Sequence, residues 1–485
     1  MDKIQYIPKE QRKKILLICD DIRVSSGIST IAREMVLGTA GVFNWVNLGG
    51  LIKHPEEGKR LDLSEDTNNQ IGISDASVIM YPVSGYGNPD LIRQLLSIEK
   101  PDSIFLIGDP RYMTWLFTIE SEIRRTTPIM WLNIWDSTPY PMWNKPFYES
   151  CDALFAISKQ TENINRVVLG DKISNKVIKY IPHGINEKVF FPITSDQPEY
   201  LSLQEMKKQL LKGKEYKFVN IWNSRNIARK CVSTVLESWK IFIDSLTDEA
   251  AKECCLILHT QPMDENGTNL WAVKEMLFGN DPKYNVVFSE QRYTPQQMNL
   301  LYNCVDVCTL ISSNEGWGLS LTEARMCGLP IIANVQGGMQ DQMRFEDSDG
   351  NWIQFTKDFP TNHKGKYKNH GKWAYPVYPS NITLVGSIPT PYIYDERVQP
   401  KDVSKQLYQV YYDKTQNPEV YKENCLAARE WVTSDESMQS ADWMCRNIVD
   451  GINETLDNWK PKDKFELIKV EIPNQPKHYN KYINE

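Results

Sequence analysis

Compact apolar runs alternate along this chain with longer stretches whose apolar positions recur every three or four residues. The runs predict strands at KKILLICD (13–20), SVIMYP (77–82), SIFLIGD (103–109), PIMWLNIWD (128–136), ALFAIS (153–158) and KVIKYIP (176–182). The amphipathic stretch ISTIAREMVLGTA, after the first of them, reads as a helix. A second series starts at YKFVNIWN (216–223) and continues through CCLILHT (254–260), YNVVFSE (284–290), VDVCTLIS (305–312) and LPIIANV (329–335). Strands bordered by helices predict parallel sheets covered on both faces. The series is interrupted at 186–215 by FFPITSDQP and the lysine-rich SLQEMKKQLLKGKE.

The fold class that follows is α/β, with two Rossmann-like doubly wound domains in tandem. Their expected bounds are 1–190 and 216–435, joined by a linker at 191–215. A helical stretch at 436–458 and a polar tail at 459–485 complete the chain. Within the second domain, residues 342–400 read as an irregular insert, and a stretch of that length is rarely idle. Such sheets bind ligands at the carboxyl ends of their strands, so two of them face to face enclose a central cleft.

With 41% hydrophobic and 24% charged residues, the chain is a folded protein and not a disordered one. A formal charge of −7 argues against a wholly basic nucleic-acid coat, though not against a local basic patch. No apolar run approaches the roughly 18 residues of a membrane span. The opening MDKIQYIPKEQRKK leads into a strand without a cleavage-site pattern, which reads as neither signal nor transit peptide. Ten scattered cysteines, with Cys304 and Cys308 followed by no second pair at zinc spacing, read as reduced thiols of a cytoplasmic protein and not as a metal site.

Three segments carry candidate chemistry. In SNEGWGLSLTEARMCGLP a strand is followed by a glycine turn and then a helix. Gly316 and Gly318 allow a ligand to approach the backbone, and the unpaired amides around Gly318 and Leu319 suit a diphosphate. Glu323, inside that helix, is placed to accept hydrogen bonds from ribose hydroxyls, and Glu315 lies nearer a sugar. In WNSRNIARKC, Arg225 and Lys230 supply two cations at a strand end, a pattern that can hold both phosphates of a nucleotide. VQGGMQD is a further glycine turn, ending in Asp341.

In this order on successive strands, the segments resemble the retaining GT-B glycosyltransferases of the glycosyltransferase 4 type (glycosyl transferases group 1). The resemblance spans roughly 12–345 and 395–457. EGWGLSLTE matches the family's E-x7-E segment through Glu315 and Glu323, and SRNIARK its R-x4-K loop through Arg225 and Lys230. VSSGIST, with Gly27, looks like its N-terminal glycine loop, and IPHGIN, with His183, like the close of its first domain. The sequence departs from the pattern at Ser224 and Cys231, which flank the phosphate loop where glycines are usual. It departs again at Asp341, where Glu is usual, and at Trp135, which replaces a histidine and leaves only Asp136.

The resemblance implies transfer of a sugar from a nucleoside diphosphate sugar, UDP-hexose foremost, with retained configuration and with no metal or other cofactor. It casts Glu315, Arg225, Lys230 and Asp136 as catalytic residues. Donor contacts fall to Gly27, Arg225, Lys230, Gly316, Gly318, Leu319 and Glu323. The helix at 436–458 is expected to cross back to the first, acceptor-side domain. For the acceptor, the candidates are Trp135, His183 and the basic, aromatic stretch TNHKGKYKNHGKWAYP with Lys366, Lys368 and Trp373. Basic groups among aromatics suit a phosphate backbone with stacked bases. The insert also resembles glycosyltransferases of tailed bacteriophages, some of which modify hydroxymethylated DNA bases, so the acceptor reads as a glycan, a small molecule or modified phage DNA in the host cytoplasm. A catalytically silent GT-B binding protein and a nucleotide-sugar 2-epimerase are the other readings.

Overall fold

The computed structural model describes residues 4–357 and 361–462, and the tail expected at 459–485 lies outside it from 463 onward. β1 (Lys13–Asp20) is the pivot of the first sheet, and its Ile15–Cys19 run is fully buried. With β2 (Phe43–Leu51), β3 (Leu61–Asp62), β4 (Val78–Ser84), β5 (Ser103–Gly108), β6 (Ile129–Asn133), β7 (Ala153–Ala156) and β8 (Val177–Tyr180) it forms an eight-stranded sheet. The order is β3-β4-β2-β1-β5-β6-β7-β8, parallel except for the β3–β4 pair. The second sheet comprises β9 (Phe218–Asn223), β10 (Cys254–His259), β11 (Asn285–Ser289), β12 (Val307–Leu310), β13 (Ile331–Asn334) and β14 (Ala374–Val377). It is all parallel, in the order β11-β10-β9-β12-β13-β14. A doubly wound pair of sheets is therefore present.

Six helices position the chemistry. α1 (Gly27–Thr39) starts from Ser26, whose hydroxyl accepts the Ser29 amide, and α2 (Lys159–Leu169) starts from Ser158, which caps Thr161 in the same way. α3 (Tyr200–Leu210) lies in the expected linker but packs onto the second domain, with Leu203 and Leu211 in its core. α4 (Leu319–Met326) and α5 (Met339–Met343) follow β12 and β13. α6 (Ala441–Asn458) returns to the first domain, where Met444, Cys445, Ile448 and Ile452 join the core beside α1. At that crossing Ile185 pairs with Ser440, and a Cβ on Gly184 would collide with the Ser440 carbonyl.

The 342–400 segment is more regular than its composition suggests. β14 extends the sheet, and β15 (Asn381–Ser387) pairs with β16 (Thr390–Arg397) in an antiparallel hairpin. This hairpin reaches the first domain. Tyr394 donates its amide to the Thr138 carbonyl, the Tyr392 ring meets Trp143 edge-on at 4.4 Å, and Arg111 donates to the Thr390 hydroxyl. The insert is a strap from the second domain to the first.

Candidate functional site

Each sheet reverses its winding at one place, between β1 and β5 in the first and between β9 and β12 in the second. Loops diverge at such a point and leave a crevice at the carboxyl ends of the strands. The two crevices face each other across a cavity of about 1320 Å³.

On the second-domain wall, β12 runs into the turn Ser312–Gly318. Gly318 has φ +87°, the left-handed region, and no side chain caps α4 behind it. The first amides of α4 are therefore left for a ligand. The turn's other face is pinned from inside the domain: buried Gln342 donates to the carbonyls of Trp317 and Gly318, the latter at 2.9 Å. Its side-chain oxygen accepts from Thr322 at 2.9 Å and from the fully buried Arg325 at 2.7 Å. The glycine pair of the next loop packs against the same turn, since a Cβ on Gly338 would strike the Gly316 carbonyl.

Lys230, buried at the end of the β9 loop, forms an ion pair with Glu315, each side chain being 11% exposed. Arg229 joins them, donating to the Asn314 carbonyl at 2.7 Å and lying 3.4 Å from the Glu315 carboxylate. Burial pushes the Glu315 carboxyl up, but Lys230 and Arg229 outweigh it and hold it at about 2. Burial lowers the Lys230 ammonium against the pull of Glu315. Asp136, on the loop after β6, lies across from this group. Burial raises its carboxyl, with Arg229 opposing. Gln336 ties the two walls together, accepting the Glu315 amide at 2.9 Å and donating to the Asp136 carbonyl at 3.1 Å.

Glu323 faces the cavity from α4 and accepts from the Tyr302 hydroxyl at 2.7 Å, and burial raises its carboxyl. Arg225 also lines the cavity but is held outward by Asp264, at 2.7 and 3.1 Å, with 61% of its side chain exposed. Gly27 opens α1 opposite α4, and a Cβ there would meet the Leu319 side chain at 3.4 Å. His183 borders the cavity at the crossover, its ring 6.2 Å from that of Trp317, and burial brings it down to about 3, which makes it a neutral imidazole.

Residues 280–358 match the family model described as glycosyl transferases group 1. The chain has the GT-B fold, and this segment of its second domain is similar to the group 1 glycosyltransferases. No curated protein sequence matches it. Among solved structures, it is similar to HepE from Anabaena, determined in complex with UDP and glucose. The two share 13% identity and a TM-score of 0.61, covering 91% of this chain and all (100%) of HepE. It is similar to sucrose-phosphate synthase from Thermosynechococcus elongatus at 13% identity and TM-score 0.63, covering 92% of this chain and 100% of that one. It is also similar to a UDP-forming α,α-trehalose-phosphate synthase from Burkholderia vietnamiensis at 9% identity and TM-score 0.60, covering 91% and 99%.

Four of the acceptor candidates stand elsewhere than expected. Trp135 is buried, donates its indole N–H to the Ser137 carbonyl at 2.8 Å and packs edge-on against Trp143, so it does not line the cleft. Trp373 is buried as well, stacked on Trp431 and bonded to the Gln342 carbonyl at 3.0 Å. It is a core residue and offers no platform for a base. Lys366 and Lys368 are exposed but lie outside the cleft lining, with Lys366 over the ring of Tyr367. Arg229 is the residue the sequence pattern missed. The R-x4-K spacing points to its neighbours, and only the fold shows Arg229 turned to Glu315 while Arg225 turns to Asp264.

Proposed function

We propose that the protein transfers a hexosyl group from a UDP-hexose to a hydroxyl acceptor, with retention of anomeric configuration. The observation that carries this reading is the cluster of Lys230, Arg229 and Glu315 beside the uncapped start of α4 at the switch point of the second sheet. The two cations and the first amides of α4 would bind the donor diphosphate and stabilise the charge that grows on it as the C1–O bond breaks. The acceptor oxygen bonds to C1 on the same face, and its proton passes to the leaving phosphate oxygen. Glu315, neutralised by Lys230, fixes cation and sugar in place and does not serve as a nucleophile. Glu323 takes the ribose hydroxyls. The complex of HepE with UDP and glucose supports uracil as the donor base.

This reading needs no metal, so activity should survive EDTA. All ten cysteines are free, which suits a reducing cytoplasm. Among the described residues no helix is long and apolar enough to cross a membrane. Of the acceptor classes, a hydroxymethylated DNA base loses its expected stacking ring with the burial of Trp373. A glycan or small-molecule hydroxyl is the better-supported class.

The test is incubation with UDP-glucose. Release of UDP, followed by NMR of the product's anomeric proton, should show turnover with the α configuration kept. Binding without UDP release across a broad acceptor panel would instead mark a silent GT-B relative.

A further inference from the structure

The wall opposite the donor site carries its own binding surface, at the switch point of the first sheet. β1 ends in Asp20, and β5 leads through Asp109 into the short turn Pro110–Tyr112. These are the two strands between which the winding reverses, so both loop ends open onto one crevice. Asp20 lines the cavity with its carboxylate set by two donors, Ser26 at 2.7 Å and Tyr86 at 2.7 Å, one on each oxygen. Each oxygen keeps a lone pair for a further hydroxyl. Ser26 is the cap of α1, whose first residue, Gly27, packs near Leu319, so Asp20 lies close to the donor turn.

Beside Asp20 stands an aromatic platform. Tyr86 lies over Gly50, where a Cβ would collide with its ring. Tyr112 leans on Tyr86 at 5.6 Å and leaves 59% of its surface exposed at the cavity. Its turn is held from both sides, by Asp109 accepting the Arg111 amide and by the strap, where Arg111 donates to Thr390. A fixed ring face next to a carboxylate suits the apolar face and the hydroxyl edge of a sugar ring.

The charge of this wall narrows the class further. Arg23 is taken up by Asp21, through paired contacts, and by Glu56 at 2.8 Å. Arg33 lies beside Glu34 on α1. On this wall Arg23 and Arg33 line the cavity with Asp20, Glu34 and Asp136, and Asp21 and Glu56 neutralise Arg23 from behind; such a field disfavours an anionic acceptor. Resting on the transferase reading above, we propose that the acceptor is an uncharged saccharide, its ring on Tyr112 and a hydroxyl on Asp20.

The experiment measures transfer of labelled glucose from UDP-glucose to methyl α-glucoside, maltose, glucose 6-phosphate and hydroxymethylcytosine-containing duplex DNA, with acceptor-free hydrolysis recorded alongside. The expected result is label on a neutral saccharide in preference to the two anionic acceptors. Tyr112→Ala should lower the ratio of transfer to hydrolysis about tenfold, and Tyr112→Phe, which keeps the ring, should retain most of it. Asp20→Asn should narrow the discrimination against glucose 6-phosphate. Hydrolysis without label on either neutral saccharide overturns the proposal. So does preferred labelling of glucose 6-phosphate or DNA, or an unchanged ratio in Tyr112→Ala. Absence of both hydrolysis and transfer overturns the donor reading itself and the proposal with it.

Discussion

Lys230 and Glu315 close on each other as an ion pair at the foot of the cleft, in a site where neither is easily replaced alone. Each is nearly withdrawn from water, at 11% side-chain exposure. Removing one partner of such a pair leaves a buried charge uncompensated and costs about 3–5 kcal/mol. Lys230→Met and Glu315→Gln should each destabilise the fold, the first by leaving Glu315 with Arg229 alone at 3.4 Å and the second by leaving the Lys230 ammonium without a carboxylate. The double variant Lys230→Met/Glu315→Gln should recover stability in urea denaturation yet release no UDP from UDP-glucose. Recovery of both would show the pair to be structural only.

The neighbouring cations should separate in kinetics. Arg229 points at Glu315 with 44% of its side chain open to the cavity, whereas Arg225 is already neutralised by Asp264. Loss of one preorganised donor to developing charge costs on the order of 3 kcal/mol, or about 100-fold in kcat. Arg229→Ala should show a fall of that order. Arg225→Ala should act mainly on the KM for donor and by less than about tenfold, because the Asp264 pair must first be broken. The reverse ranking in steady-state kinetics would return the diphosphate contact to Arg225.

Much of this architecture was legible in the sequence. The fully apolar runs became central strands because parallel sheets bury both faces, and the glycine turns mark where the two sheets meet. β2 escaped because FNWVNLGGL carries two asparagines, and Asn47 is satisfied internally by donating to the Leu17 carbonyl. The strap was hidden for a related reason. β15 is exposed along its whole length, so it has no buried face to print a pattern, and the contacts of β16 with the first domain are non-local. Trp373 shows the limit of composition. Lysines around a tryptophan look like a stacking surface until the backbone turns the ring into the core.

Gln342 was unreadable from sequence, since only the fold brings it under the Trp317–Gly318 turn. With both carbonyls held from behind, the amides of α4 keep facing the cavity. Gln342→Met removes the donor while keeping shape, and it leaves the fully buried Arg325 guanidinium with the Gln439 side-chain oxygen in place of two acceptors. The expected outcome is a kcat reduced about tenfold or more with a smaller change in the KM for acceptor, since the turn acts on the leaving diphosphate. Gln342→Glu still accepts from Arg325 and Thr322 but repels the two carbonyls, so it should retain more stability than Gln342→Met while losing as much kcat. Equal stability loss with unaffected kcat in both would make Gln342 a packing residue.

The last prediction concerns pH and the contact between domains. Asp341 accepts the Lys159 amide at the start of α2 at 2.8 Å, and Lys159 reaches on to the Ile353 carbonyl and the face of Trp352. Burial raises the Asp341 carboxyl from 3.8 to about 6, with Lys159 and Tyr180 opposing and Glu162 reinforcing. A carboxyl that binds its proton more tightly when folded stabilises the protein fully below its unfolded value and loses that contribution as pH rises through the folded one. The loss here is roughly 3 kcal/mol, falling between about pH 4 and pH 6. Glu396, at the base of the strap beside Asn362 and Thr361, is raised by burial to about 7 and acts in the same direction. His183 and His259, lowered by burial to about 3 and about 4, act the other way, because the unfolded imidazoles take up protons first as pH falls. These opposed contributions overlap in the total stability curve, and the difference between wild type and Asp341→Asn isolates the one group. Urea denaturation in steps from about pH 4 to pH 7 should show the variant gaining on wild type as pH rises, by up to that amount, with the gain complete just above the folded value. A difference that stays constant across the range would mean that Asp341 remains ionised in the fold and holds α2 as a full carboxylate.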